Sequence, residues 1–394
     1  MLPEYYEFYL PVKINSGQDA LETLGWEMQQ MGLSRPIVIT DQGIVGAGLL
    51  KVFLDTQKNS GIDFSVIYDR TPSDSSIDTV NEVAEIFRKN NCDSIIAIGG
   101  GSVIDTAKGL NILISHHASD LRSLMGVDRL TAPQLLPLIV IPTTSGTGSE
   151  STLVAVISDR ENNVKLPFVS YKLVPRLAIL DPRMTQSLPP RLTAATGMDA
   201  LTHAIEAYTC LQKNPISDAF AYSAIELIRD YLFQAVENGK DRKARLAMAN
   251  ASLMAGIAFS NSMVGAVHAI GHALGAVAHV HHGTAMAILL PQVMEYNMPK
   301  LADLYARLLL PLAGEQVYLA TPMEQRAQKA VEIIRDMNRR LHKLTGMAIT
   351  LSQAGLAKEQ IPEVAHKAIN DGSMSTNPLD IPQEDVIKIL EKVY

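Results

Sequence analysis

The sequence has few cysteines, no excess of positive charge and no basic leader. Cys92 and Cys210 are the only cysteines among 394 residues, so a disulfide framework is excluded and a reducing, cytoplasmic location is expected. Lys and Arg number 34 against 41 Asp and Glu, and this net charge of -7 argues against a nucleic-acid partner. The start, MLPEYY, lacks the basic region of a secretory signal.

Residues 262–291 lack Asp, Glu, Lys and Arg entirely. The segment nevertheless contains five histidines and four glycines, which fit a membrane-spanning helix poorly because imidazoles in mid-span would need partners there. A buried segment beside a metal ion explains this composition better. No membrane partner is therefore predicted.

Hydrophobic residues make up 47% of the chain, and its length favours two globular domains. In the first half, β-branched runs alternate with amphipathic ones, which is typical of an α/β layer with a mainly parallel sheet. The predicted strands are 36–40, 64–68, 94–98, 136–141 and 177–180, and the predicted helices are 20–31, 77–90 and 102–115. Ligands of such a sheet bind at the carboxyl ends of its strands.

From about residue 189, Ala-, Leu- and Met-rich periodic segments replace the β-branched runs, so the second half is predicted to be all-helical. The segment 180–191, LDPRMTQSLPPR, contains three prolines and is the best candidate linker. We therefore expect a nucleotide-binding α/β domain over residues 1–185 and a helical, metal-binding catalytic domain over residues 186–394.

Three glycines follow the predicted strand 94–98 and precede a helix, in the segment SIIAIGGGSVIDTAKG. Glycine lets a phosphate approach the backbone, and the N–H groups that start a helix complement its charge, so Gly99, Gly100, Gly101 and Ser102 are candidate cofactor residues. A tight turn capped by Ser102 and Asp105 is an equally good interpretation. The run is not G-x-G-x-x-G.

The next strand end, IPTTSGTGSE at residues 141–150, supplies five hydroxyls and two glycines. Thr143, Thr144, Thr147 and Ser149 could donate hydrogen bonds to phosphate or ribose oxygens, although such clusters usually mark loops. Two loops of this kind at neighbouring strand ends strengthen the prediction of a dinucleotide site.

Asp41 directly follows the predicted strand 36–40. A carboxylate there could accept a hydrogen bond from a ribose 2′-OH and repel a 2′-phosphate, which would favour NAD over NADP. The simpler interpretation, a helix N-cap or turn residue, is preferred on the sequence alone.

The pattern with the most chemistry lies in the second half. Asp199 and His203 are four residues apart in TGMDALTHAIEAY, and His268 and His272 have the same spacing in VHAIGHALG, shortly before His282. Side chains at that spacing share one face of a helix and can bind one ion. One carboxylate and three imidazoles suit Fe²⁺ or Zn²⁺ better than Mg²⁺. A lone histidine on such a helix is more often a core residue, as we expect for His279 and His281.

Several of these segments together resemble the iron-containing alcohol dehydrogenase family. They occur in the family's order and are GGGSVIDTAKG, PTTSGTGSE, ATGMDALTHAIEAY, HAIGHALG, HGTAMAILLP and NPLDIPQEDVIKIL. The resemblance covers nearly the whole chain. It implies a dehydroquinate-synthase-like architecture with a cleft between the two domains, a homodimer or higher oligomer, and oxidation of small alcohols or diols, or reduction of aldehydes, with NAD.

The resemblance also implies roles for individual residues. The metal ligands would be Asp199, His203, His268 and His282, and His272 would lie near the nicotinamide and relay a proton. Asp41 matches the family's acidic residue associated with NAD preference, and Lys165 matches a lysine near the cofactor. Asp74 and Met286 depart from the family pattern, each standing where Asn is common.

Two other functions remain possible on the sequence. A dehydroquinate-synthase-like lyase also uses NAD and a metal, but it needs basic residues that the segments around the proposed metal ligands lack. A metal-dependent hydrolase could use Asp199 and His203 equally well, although the two Gly/Thr-rich loops would then have no role. A structural metal usually has cysteine ligands.

Overall fold

The computed structural model describes residues 3–162 and 164–394, which form two compact units. The sheet unit comprises Tyr9–Leu188, and the helical unit comprises Pro189–Tyr394 together with the N-terminal residues up to Phe8. One unit is α/β with a parallel sheet and the other is helical, so the predicted fold class is confirmed.

Nine strands occur in the described ranges, all of them in the sheet unit. They are β1 (Lys13–Ser16), β2 (Pro36–Ile39), β3 (Ile67–Tyr68), β4 (Ser94–Gly99), β5 (Gly126–Val127), β6 (Leu138–Pro142), β7 (Val154–Asp159), β8 (Val164–Val169) and β9 (Leu177–Leu180). The larger sheet has the order β1-β9-β6-β4-β2-β3, and its strand pairings are parallel. A smaller sheet has the order β5-β8-β7, with β7 and β8 antiparallel.

Alternate residues of the central strands pack into two separate apolar cores. Ile37, Ile95 and Val140 belong to one core, whereas Val38 and Ile96 belong to the other. Helices cover both faces: α1 (Leu24–Gln30), α2 (Gln42–Gly46), α3 (Leu49–Thr56), α4 (Ile77–Lys89) and α5 (Gly101–Ser115). Burial on both faces explains why these strands are continuously apolar rather than alternating.

The helical unit is built from α6 (Pro190–Thr209), α7 (Pro215–Glu237), α8 (Arg242–Ser260), α9 (Ala266–Ala278), α10 (His282–Ala313), α11 (Glu315–Ala320), α12 (Arg326–Thr345), α13 (Ile361–Ile369) and α14 (Gln383–Lys392). A single large apolar core runs through it. Each described helix of the protein is too short or too polar to cross a membrane.

Several element predictions were wrong, for identifiable physical reasons. The predicted strand 64–68 is reduced to the two residues of β3, at the edge of the larger sheet. Strands β7 and β8 were not predicted, because β8 contains Pro167 and β7 ends in the polar residues Ser158 and Asp159. The linker segment is only partly irregular, since β9 ends at Leu180 and α6 begins at Pro190.

Candidate active site

Three helices of the helical unit carry the predicted metal ligands. Asp199 and His203 lie one turn apart on α6, His268 lies in the first turn of α9, and His282 is the first residue of α10. The side chains of Asp199, His203 and His268 are buried, whereas that of His282 is 39% exposed. The fold thus brings together four residues spread over more than 80 positions.

One carboxylate oxygen, Asp199 Oδ1, is the common neighbour of three imidazoles. It lies 3.4 Å from His282 Nε2 and 3.9 Å from both His268 Nε2 and His203 Nδ1. Ligand atoms of Asp199, His268 and His282 lie within 4.8 Å of one another, and His203 falls outside that mutual set. Tetrahedral ligands at about 2.1 Å from an ion are about 3.4 Å apart, so these spacings suit a single cation.

The buried ligand atoms also lack hydrogen-bond partners. Asp199 Oδ1, His203 Nδ1 and His268 Nε2 are inaccessible to solvent and make no hydrogen bond within the described residues. An unpaired buried polar atom costs about 1–3 kcal/mol, and three that converge would be a large cost without a function. A divalent cation held by these atoms would satisfy all three, so the residues fit the group that the sequence implies.

Charges at the centre favour the forms that bind a cation. Burial alone would raise the pKa of Asp199, but the surrounding imidazoles, His203 first, hold it below its ordinary value. Burial lowers the pKa of His203 to about 3 and that of His268 well below its ordinary value. Burial also opposes protonation of His282, but the Asp199 carboxylate raises its pKa overall. An ionised carboxylate therefore faces two neutral imidazoles.

Glycines allow the three helices to approach closely. A Cβ atom at Gly283 would lie 2.3 Å from the carbonyl oxygen of Ala195, one turn before Asp199, so the start of α10 rests against the backbone of α6. A Cβ atom at Gly271 on α9 would lie 1.9 Å from Cε of Met286. Met286, where the resemblance led us to expect Asn, lies on α10, is fully buried and packs against α9 at Gly271.

Two acidic residues behind the histidines were missed by the sequence analysis. Glu206 Oε2 lies 2.5 Å from His268 Nδ1, and Asp371 Oδ2 lies 3.0 Å from His272 Nδ1. Glu206 follows His203 by three residues on an apolar helix, a signal that could have identified it. Asp371 is 99 residues from its partner, and no spacing rule indicates it.

His272 differs from the other predicted histidines because its side chain is 45% exposed. Its ring stacks on that of His282 with centroids 5.6 Å apart. On the far side of the centre, Phe259 stacks on His203 at 4.4 Å. His272 thus borders the centre without joining the buried ligand atoms.

In the sheet unit, the two Gly/Thr-rich loops follow adjacent strands. Gly99 of β4 is paired with Pro142 of β6, and the N–H of Thr143 donates to the Gly99 carbonyl at 3.1 Å. A Cβ atom at Gly100 would lie 3.3 Å from Thr144 Oγ1, and one at Gly101 would lie 3.1 Å from Thr147 Cγ2. The loops are in contact at the carboxyl edge of the sheet, where α5 begins without a side-chain cap.

The predicted capping pair of Ser102 and Asp105 is wrong. The N-cap of α5 is Gly100, and Ser102 Oγ instead donates to the Ser73 carbonyl at 2.5 Å. Asp105 accepts from the N–H of Val156 at 3.1 Å. Both side chains therefore bind neighbouring segments rather than the start of α5. The first N–H groups of the helix are left without a side-chain acceptor.

Asp41 and Lys165 lie on different elements of this unit. Asp41 Oδ1 accepts from the N–H of Ile44 at 2.9 Å, which confirms the N-cap interpretation, and β2 places it beside the β4 strand end. Lys165 on β8 pairs with the carboxylate of Asp74, which also accepts from Ser158 Oγ at 2.6 Å. Asp74, where the family often has Asn, therefore engages Lys165 directly.

Comparisons with known proteins agree over both units. The family described as iron-containing alcohol dehydrogenase matches residues 11–182, and the C-terminal part of the Fe-containing alcohol dehydrogenase family matches residues 193–394. The NAD-dependent methanol dehydrogenase of Bacillus methanolicus is 35% identical over 385 residues, covering 98% of each chain. The NADPH-dependent butanol dehydrogenase of Clostridium saccharobutylicum is 34% identical, covering 98% of this chain and 97% of its own.

A solved structure of 1,3-propanediol oxidoreductase superposes with a TM-score of 0.93 at 34% identity, covering 99% of this chain and 100% of the other. Both the sequence matches and the structural match extend over nearly the full length. The chain therefore belongs to the iron-containing alcohol dehydrogenase family.

Proposed function

We propose that this protein transfers a hydride between NAD and a small alcohol, diol or aldehyde, with Fe²⁺ bound by Asp199, His203, His268 and His282. The observation that carries the proposal is the convergence of buried carboxylate and imidazole atoms that have no hydrogen-bond partner. Zn²⁺ suits the same donor set and is the alternative metal. Relatives named for methanol, butanol and 1,3-propanediol support small alcohols as the substrate class.

The two Gly/Thr-rich loops of the sheet unit support NAD as the proposed cofactor. The N-terminus of α5 and the hydroxyls of Thr143, Thr144 and Thr147 offer donors to phosphate and ribose oxygens. Gly99, Gly100 and Gly101 leave the backbone open to a close approach. These groups would bind and orient NAD, with Ser102 holding the neighbouring segment in place through Ser73. Lys165 is proposed to lie near the cofactor.

When bound, the cation and the nicotinamide supply a Lewis acid for the substrate oxygen and an acceptor for hydride. The chain's own residues provide proton transfer. We expect the Nδ1–H of His272 to donate a hydrogen bond to the Asp371 carboxylate, so that Nε2 is free to accept the alcohol proton. Its exposure gives that proton a route to water.

The test is metal removal followed by reconstitution. Protein stripped with a chelator is expected to lose alcohol-dependent absorbance change at 340 nm, and one equivalent of Fe²⁺ or Zn²⁺ added without oxygen is expected to restore it. Elemental analysis of the purified protein identifies the metal. Unchanged turnover after complete chelation would contradict the proposal. A lyase that recycles its NAD would show product without a net change at 340 nm.

The preference for NAD is tested at Asp41. Asp41→Asn retains an N-cap side chain for α2 but removes the negative charge, so we expect the NADP to NAD ratio of kcat/KM to rise by about 10-fold. Asp41→Gly also removes the charge, and Gly is a tolerated N-cap, so it should shift preference similarly. Cofactor kinetics with one alcohol measure the ratio. An unchanged ratio in both variants would assign Asp41 to capping alone.

A further inference from the structure

Glu206 is the buried acid closest to the proposed ligands that is not itself one of them. Its side chain is 7% exposed, and it lies on the same face of α6 as Asp199 and His203. Its Oε2 lies 2.5 Å from His268 Nδ1, and its Oε1 accepts from the N–H of Val267 at 2.7 Å. The carboxylate thus holds both the ring of His268 and the start of the helix that carries it.

The contact determines which nitrogen of His268 carries the proton. Glu206 Oε1 already accepts from the N–H of Val267, and an ionised carboxylate can only accept, so with Glu206 ionised Nδ1 is the N–H donor and Nε2 is left with a lone pair. That lone pair points toward Asp199 Oδ1, 3.9 Å away, which is also an acceptor. A cation between these two buried acceptors would satisfy both of them.

We infer that Glu206 is a positioning residue that fixes His268 in the tautomer able to bind the metal. The inference rests on the proposed metal site. Mutation of a residue that hydrogen-bonds to a metal-binding histidine typically lowers metal affinity by about 10- to 100-fold. Glu206 would act through His268 and would touch neither the metal nor the substrate.

A purely structural role is the competing explanation, because Glu206 also satisfies the N-terminus of α9. A second side chain separates the two roles. Asn377 Oδ1 accepts from the N–H of Ala266 at 3.3 Å and from Asn297 at 3.0 Å. A Cβ atom at Gly265 would lie 3.0 Å from Glu206 Oε1 and 3.1 Å from Asn377 Oδ1. Both residues therefore support the same helix start, but only Glu206 contacts His268.

The experiment compares Glu206→Gln with Asn377→Ala, using Co²⁺ as the probe. In Glu206→Gln the amide oxygen can still accept from Val267, whereas the amide nitrogen is a donor that faces His268 Nδ1 and forces the wrong tautomer. We expect Co²⁺ affinity, followed by visible absorption, to fall at least 10-fold in Glu206→Gln and less than about 3-fold in Asn377→Ala. Equal losses in the two variants, or no loss in Glu206→Gln, would overturn the inference.

The tautomer of His268 can also be measured in the wild-type protein, where misfolding of a variant plays no part. In metal-free wild-type protein with ¹⁵N-labelled histidine, we expect His268 to carry its proton on Nδ1, and the opposite tautomer would overturn the inference. Failure of the wild-type protein to bind Co²⁺ would overturn the proposed function and the role of Glu206 with it. Tight Co²⁺ binding by both wild type and Glu206→Gln would overturn the role of Glu206 alone.

Discussion

Replacing His268 with Asn is expected to remove the bound metal and to lower kcat/KM for alcohol oxidation by at least about 10³-fold. Lewis-acid catalysis contributes several kcal/mol to transition-state stabilisation, and each 1.36 kcal/mol is about tenfold in rate. His268 is the link between Asp199 Oδ1 and Glu206, so its loss also leaves Glu206 without the imidazole that it contacts. Metal content and NAD-coupled activity, measured on the same preparation, check the result.

A matched histidine in the same uncharged segment provides the control. The expectation that His279 and His281 are core residues is wrong, because both are exposed at helix ends. His279 adopts a left-handed backbone conformation with φ of 54°, which Asn tolerates well. His279→Asn should therefore keep metal content and activity within about twofold of wild type. Nucleotide binding should survive in both variants, because the Gly/Thr-rich loops belong to the sheet unit. Full metal content in His268→Asn would rule out the proposed ligand set.

Local periodicity indicated two pairs of candidate metal ligands, whereas the family resemblance supplied the set of four, with His282 in place of His272. Asp199 and His203 share one helix face, and His268 and His272 share another, because each pair is separated by four residues. Spacing within one helix could not show that α6, α9 and α10 meet. That meeting depends on Gly283 resting against Ala195, which is a tertiary contact between distant parts of the chain.

In the sheet unit, the apolar runs predicted the central strands well, because burial on both faces removes any ambiguity of period. The loops at 99–102 and 143–147 were predicted to lie at neighbouring strand ends, and the strands that precede them, β4 and β6, are paired in the sheet. Strand β8 of the smaller sheet escaped prediction because Pro167 interrupts its strand pattern. Ser102 and Asp105 were misassigned because their acceptors and donors lie in other segments.

Lys108 shows how the sheet unit holds its second loop. It is fully buried, and burial lowers its pKa to about 8, so the ammonium is still largely protonated at pH 7. Its Nζ donates to Ser149 Oγ at 3.1 Å, to the Thr152 carbonyl at 2.9 Å and to the Val154 carbonyl at 2.8 Å. One side chain of α5 therefore binds the segment that joins the Thr-rich loop to β7.

Lys108→Met is expected to lower the free energy of unfolding of the sheet unit by about 3–5 kcal/mol, because buried carbonyls and the nearby Asp105 carboxylate lose their donor and counter-charge. Lys165→Met, which removes a half-exposed lysine from the same unit, should cost about 1 kcal/mol or less. Trp26 is the chain's only tryptophan and lies in this unit, so its fluorescence in urea reports the transition. NAD affinity should also fall in Lys108→Met, because the Thr-rich loop is held less firmly. Equal stability of the two variants would show that the buried ammonium does not hold this loop in place.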